Sequence, residues 1–382
     1  MFDLRIALIS IGTSLFWISL YLYSPVLSIH ARSLGGTLPM IGLIVASYAF
    51  GQIIFRIPIG IYADKFGRKP FVVSSLVLSS LGGIWLGFSP DPWSLFAART
   101  ITGIAAAGWV AISVMYASFF REDNSTKTMA KVMSINSLSV LSATSVGGLM
   151  ADFMGTSSTF FAAGILAAIG ALIVALISEP EYGKGNHRFK QSLNTIKSPS
   201  LIKVSLVAIT LQFVTFGVTF GFLPIFAENL GASKSELGFM TTAGLTSAFI
   251  FTVICPWITK RIGLKNALYI SSIFSIIALA SIPFVESHYL LIPIQGLNGA
   301  GRGLMNTILI SLAIRAASPD LRATAMGTYQ AIYALGMMLG PSISGIIASI
   351  YGIPLVFWFG VLVTMLGLVV ISSLKVQKDQ RH

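Results

Sequence analysis

The residues able to do chemistry are few, and they cluster. Residues 60–70 read GIYADKFGRKP, so Asp64, Lys65, Arg68 and Lys69 crowd around Gly60 and Gly67 between two long apolar stretches. Asp64 ends a helix-like segment and needs positive partners; Arg68 and a helix N-terminus near Thr324 are candidates. Gly60 allows a close helix approach, and Gly67 permits a tight turn. A second group lies within an apolar run. Gln295, Asn298, Arg302 and Asn306 recur at spacings of three and four and therefore share one helical face. A charge at membrane depth is costly and usually lines a cavity or has a partner. The stripe thus reads as a cavity wall, or alternatively as a structural Arg bonded to carbonyls of the Gly-rich run 296–303. Arg99 and Arg56 are also intrasegment cations. Arg56, one turn from Gly60, reads as snorkelling or as support for the loop.

Nothing here builds an enzyme. His30, His187, His288 and His382 have no metal-ligand spacing. No phosphate-binding Walker loop appears, and no cofactor is implied. Cys255 alone excludes an intramolecular disulfide and a Cys-based metal site. No Asp or Glu lies in the middle of an apolar segment, so a coupling proton has no obvious carrier. The cavity should be electropositive and favour anionic or amphipathic substrates, including lipid-like ones.

The elements that must position these residues follow from composition. Of 382 residues 55% are hydrophobic and 10% charged, with mean hydropathy +0.84. A soluble protein carries about 25% charged residues, so this chain belongs in a bilayer. The net charge of +12 is spread in short clusters between apolar runs, which argues against nucleic acid as a partner. Twelve segments have the ~20 apolar residues a spanning helix needs: 5–28, 39–60, 70–89, 93–118, 129–151, 158–178, 201–227, 235–258, 266–285, 289–314, 323–348 and 353–374. Strict alternation in ~10-residue strands is absent, so the class is all-α rather than a barrel. With both termini in the cytoplasm, twenty of the 25 Lys and Arg residues fall on the inner side and only Arg32 and Lys234 on the outer. The first segment reads as a retained helix rather than a cleaved signal.

The segments divide six and six: an N-terminal bundle over 1–178, a cytoplasmic linker over 179–200 and a C-terminal bundle over 201–382. The linker's basic part is suited to the anionic leaflet. The halves also repeat. Gly60, Gly67, Lys69 and Gly103 shifted by 196 fall on Pro256, Gly263, Lys265 and Gly299. Gly148, Ala151, Gly155 and Phe160 shifted by 197 fall on Gly345, Ala348, Gly352 and Phe357. Two parallel six-helix repeats point to a membrane carrier with a midplane site between the repeats.

These residues resemble a known family. Gly60-x-x-x-Asp64-Lys65-x-Gly67-Arg68-Lys69 is similar to the signature loop of the major facilitator superfamily, and Arg99-x-x-x-Gly103 to a second motif of it. Tyr23-Ser24-Pro25 and residues 56–60 (RIPIG) most resemble the twelve-helix drug-efflux type. The resemblance implies two pseudo-symmetric six-helix bundles. It implies that Arg68 reaches an acid after the fourth helix, Glu122 or Asp123, so that Gly60, Asp64, Gly67, Arg68 and these acids form a conformational latch. It places helices 1, 4, 7 and 10 on the cavity. That raises Trp17, Tyr21, Trp109 and Phe213 as substrate contacts beside Arg302, Gln295, Asn298, Asn306, Arg99 and Tyr329. Phe213, Phe216 and Phe220 are expected on one helical face. Gly336, Gly340, Pro341 and Gly345 resemble an efflux-associated Gly-Pro motif, normally in helix 5, where this chain has Ala143-Thr144. They offer close packing and a hinge.

The expected function is secondary transport by alternating access, exporting a small amphipathic or anionic organic compound. Import or facilitated diffusion of an organic anion, lipid flipping and non-transporting sensing are the alternatives. The expected partners are the small-molecule substrate, a coupling proton or ion, and membrane lipid, with the chain acting as a monomer in the cell membrane.

Overall fold

The computed structural model describes residues 4–119, 125–179, 198–317 and 322–374, without the side chains of Asp64, 125–131 and 322–324. Glu122 and Asp123 lie outside the described residues, as does most of the linker. Every regular element among the described residues is helical. The first is α1 (Leu4–Tyr21), followed by a short α2 (Leu27–Ser33) and α3 (Leu38–Phe66). Thr37 caps α3 through Met40 N, with a proline in its first turn. Next come α4 (Lys69–Phe88), α5 (Pro92–Ala107), α6 (Trp109–Ser118), α7 (Ser125–Met154) and α8 (Thr156–Ala175). Asp91 starts α5 by accepting from Trp93 N at 2.8 Å and Ser94 N at 3.0 Å. After the linker, α9 (Pro199–Phe213) runs into a π-helix (Val214–Phe222) and then α10 (Leu223–Asn229). The chain finishes with α11 (Lys234–Ile262), α12 (Leu264–Ser281), α13 (Leu291–Arg315), α14 (Arg322–Tyr351) and α15 (Ile353–Ser372).

Among the described residues eleven stretches are long and apolar enough to cross a bilayer; two of them join α5 to α6 and α9 to α10. The twelfth expected span, α13, has 25 residues. At ~1.5 Å per residue that length exceeds a hydrocarbon core of ~30 Å. Its polar stripe, not its length, sets it apart from the other eleven.

Two compact units emerge from the contacts. One comprises residues 1–186 with 233–242, the other 187–232 with 243–382. Within each, the sequence repeat is a structural one. Gly67, Gly155, Gly263 and Gly352 have φ of 96, 84, 82 and 88° with ψ of 152, 155, 157 and 159°. That region of backbone space is essentially closed to residues with a Cβ. Each glycine makes the turn between two antiparallel helices at a repeat-related position. Gly35 and Gly231, 196 apart, also have positive φ, 85 and 88°. The contacts repeat as well. Gly103 of α5 packs on the Tyr48 backbone of α3, and Gly299 of α13 on the Gly244 backbone of α11, each partner again 196 further on.

Gly60 is not the close-approach glycine expected. Among the described residues a Cβ there would meet only Val110 Cγ1, at 3.6 Å, an ordinary contact. The α3–α5 contact depends instead on Gly51, whose Cβ would lie 2.5 Å from Ile104 N, and on Gly103. Gly336 and Gly340 press α14 on the backbone at Ile209 and Phe213 of α9, and Pro341 and Gly345 are buried.

Candidate functional site

The signature loop is anchored by a residue outside its motif. Glu179 accepts from Arg68 N at 2.9 and 3.1 Å through its two oxygens and from Lys69 N at 3.0 Å. A carboxylate thus satisfies free N–H groups at the start of α4 and complements its dipole. By sequence Glu179 is the first residue of the linker. In the second unit the equivalent joint has opposite polarity. Lys265, in the first turn of α12, donates to Ser372 O at 2.7 Å and Leu374 O at 3.4 Å, at the carbonyl end of α15. Lys203 reaches Ser373 O beside it at 3.3 Å. The same pair of helix ends is tied in both repeats, once by an acid at an N-terminus and once by a cation at a C-terminus.

The four cavity candidates on α1, α5 and α6 are Trp17, Tyr21, Arg99 and Trp109. Trp17 and Trp109 meet edge to face with ring centroids 5.0 Å apart, and Trp17 lies 5.8 Å from Tyr21. The Trp17 Nε1–H is buried without a partner. Trp109 follows the break between α5 and α6 at Gly108, where a side chain would collide with Ser75. Arg99 is elsewhere on α5. It donates through Nη1 to Tyr23 Oη at 2.8 Å and to Thr102 Oγ1 at 3.3 Å. Its guanidinium sits 4.3 Å from the Tyr48 ring centroid and 5.3 Å from that of Tyr23. Cation–π contacts, one phenol oxygen and one threonine hydroxyl therefore solvate this buried charge.

Arg56 does not snorkel. It is 8% exposed and donates through Nη2 to Gln52 Oε1 at 2.7 Å. The signal was legible as a Gln-x-x-x-Arg spacing on one helix.

In the second unit the polar stripe of α13 divides. Gln295 packs on Gly244 of α11. Asn298 Nδ2 donates to Thr219 Oγ1 of the π-helix at 3.2 Å. Arg302 lines a cavity of about 10 Å³ with Thr210, Thr215, Ser275, Asn298 and Thr364. Such a space is about that of one water, and Leu211, Val214 and Met305 complete its largely apolar wall. Asn306 is half-buried. The π-helix overturns the expectation that three phenylalanines share a face. Phe216 and Phe220 meet at a tilt with ring centroids 5.6 Å apart, while Phe213 pairs with Phe359 of α15 at 5.7 Å. Residues wound at i→i+5 no longer follow the 3.6 period. Tyr329 is 1% exposed, edge-on to Tyr333 at 5.3 Å, and packs into a core with Leu201, Ile308 and Leu309. Its place is thus in the core of this unit.

The description of the Major Facilitator Superfamily matches residues 9–226 and 205–381. The chain belongs to the major facilitator superfamily. Among superfamily members it is 26% identical over 373 residues to the inner membrane transport protein YajR of Escherichia coli (strain K12), covering 95% of this chain and 81% of that protein. It is 23% identical over 298 residues to a multi-drug resistance efflux pump PmrA homolog of Lactococcus lactis, covering 76% and 74%. A crystal structure of a bacterial homolog of the human lysosomal transporter Spinster, inward-facing and occupied, superposes with a TM-score of 0.82. It is 15% identical, over 97% of this chain and 96% of that one, and so likens the superfamily fold alone. These matches make the chain an integral membrane transporter and not an enzyme.

Proposed function

We propose that this transporter exports a small amphipathic or anionic organic compound by alternating access, as a monomer in the cell membrane with both termini cytoplasmic. The observation that carries the preference for anions is the charge of the spans. Arg56, Arg99 and Arg302 lie within them, whereas among the described residues acids occur only near span ends, as at Asp152, Glu228 and Glu236. A site of this sign attracts anions and raises the cost of cations. The relative named as an efflux pump favours export. In this reading the Gly60–Lys69 loop is the conformational latch, and Asp64→Asn inserts normally but transports poorly.

The test is flux. Purified protein in liposomes is loaded with a panel of labelled aromatic anions, neutral amphiphiles and cations, with and without an imposed proton gradient. The proposal expects efflux of anions or neutral amphiphiles above empty liposomes, reduced at least tenfold by Arg302→Ala. Transport of cations alone refutes the electrostatic argument. Binding without flux in every arm refutes transport and leaves a sensor.

A further inference from the structure

We infer that the first unit contains a binding site for a small monovalent anion at Arg56 and Gln52, independent of the Arg302 cavity. Arg56 and Gln52 are 8% and 4% exposed, while the neighbouring Phe55 and Ile57 are exposed, so the α3 face bearing the cation points into the protein. Among the described residues only Nη2 is engaged, by Gln52 Oε1; Nε and Nη1 are buried with no partner there. A guanidinium cannot lose its charge at accessible pH and has only donors to offer. Its unmet N–H groups therefore require an acceptor, and its charge a counter-ion.

The repeat shows what a satisfied version of this position looks like. Arg56 shifted by 196 is Thr252 on α11. Thr252 donates to Gly303 O at 3.3 Å and accepts from Thr307 Oγ1 at 3.2 Å. The second unit thus has a neutral residue whose hydrogen bonds close within the protein. The first unit has a cation whose bonds do not. Gly303 corresponds to Ala107, the last residue of α5 before the break at Gly108. The α3–α5 register agrees: Gly51 packs on Gly103 and Ile104, and Gly60 on Val110, which brackets Arg56 at that break. Among the described side chains of the neighbouring turns the charged group is Arg99, a second cation, whose Nε is also buried and has no partner among them. No carboxylate among the described residues of the first unit lies in a span except near its end.

The ligand chemistry is compact, monovalent and rich in acceptors: a halide, or the carboxylate of an organic molecule. The measurement is thermal stability of the purified full chain in detergent. Chloride and benzoate are each titrated against sulfate at constant ionic strength. The expected result is a saturable rise in melting temperature with at least one of them. In Arg56→Gln the half-saturating concentration rises at least tenfold; in the exposed-site control Arg261→Gln it is unchanged. Gln52→Glu is the second variant. It places a carboxylate where Arg56 already bonds, so it should fold, melt no lower than wild type and lose the anion response. A response to chloride alone identifies an inorganic co-ion, and one to benzoate a substrate headgroup; either supports the site if Arg56→Gln removes it. Absence of a response in wild type overturns the inference, as does an unchanged midpoint in Arg56→Gln or Gln52→Glu. Because the readout is binding, this result is separable from any failure of transport.

Discussion

Replacing Glu179 by Gln tests whether the signature loop is held by an acid from the far end of its bundle. The substitution keeps the shape and removes the charge and one acceptor oxygen. Three N–H···O contacts of 2.9–3.1 Å from Arg68 and Lys69 depend on that carboxylate. Hydrogen bonds to charged groups contribute about 1.5–3 kcal/mol each when desolvated. Glu179 is half-buried, and the two N–H groups share its oxygens, so water competes for much of this. A charge at a helix N-terminus contributes ~0.3–1 kcal/mol, up to ~2 when partly buried. The net loss expected is therefore about 1–2 kcal/mol. At about 2–4 °C per kcal/mol for a folding unit of 150–250 residues, the melting temperature should fall by roughly 2–8 °C. Glu179→Ala should cost more, and Glu179→Asp less, since it keeps the charge. The assay is a thermal melt in detergent at neutral pH with expression and monodispersity matched. Lys265→Met, at the corresponding joint of the second unit, should cost less because the Lys265 contacts are more exposed. A Glu179→Gln melt within about 1 °C of wild type would refute the reasoning, since the helix N-terminus would then be served as well by water.

Other substitutions separate the glycines by their geometry. Gly67→Ala and Gly263→Ala should each cost about 1–3 kcal/mol, because only glycine occupies their backbone region comfortably. Gly60→Ala should leave the melting temperature unchanged or raise it slightly, because helix-interior glycine is less favourable than alanine by roughly 0.5–1 kcal/mol; a large drop would contradict the ordinary contact with Val110. Gly340→Ala places a Cβ 2.5 Å from Phe213 O and should destabilise by about 1–3 kcal/mol through overpacking, read as a lower melt. Burial, and secondarily Lys234, push the His30 pKa below its usual 6.5. The unfolded chain therefore takes up a proton here before the folded one does, and stability falls as pH drops below about 6.5. Melts between pH 7.5 and 5 should show that loss, and His30→Gln should flatten the part due to this group.

The sequence determined the class of protein and the plan of each half. Twelve segments with few interior charges leave no soluble alternative, because an uncompensated apolar surface of that extent has to face lipid. The 196-residue offset was legible because a turn closed to side chains forces glycine at the same place in each half, as at Gly67 and Gly263. Arg56, Arg99 and Arg302 stood out by charge alone. What each of them touches depended on the tertiary structure. Periodicity assigns a face but not the helix that covers it, so Arg302 came to a one-water cavity and Tyr329 to a packed core. The π-helix moved Phe213 away from Phe216 and Phe220, since a change of helical winding leaves no period-3.6 signature to read. Glu179 was invisible as an anchor because its partners, the N–H groups of Arg68 and Lys69, are backbone atoms 110 and 111 residues away. Every residue carries such a donor, so only folding selects which of them a carboxylate meets.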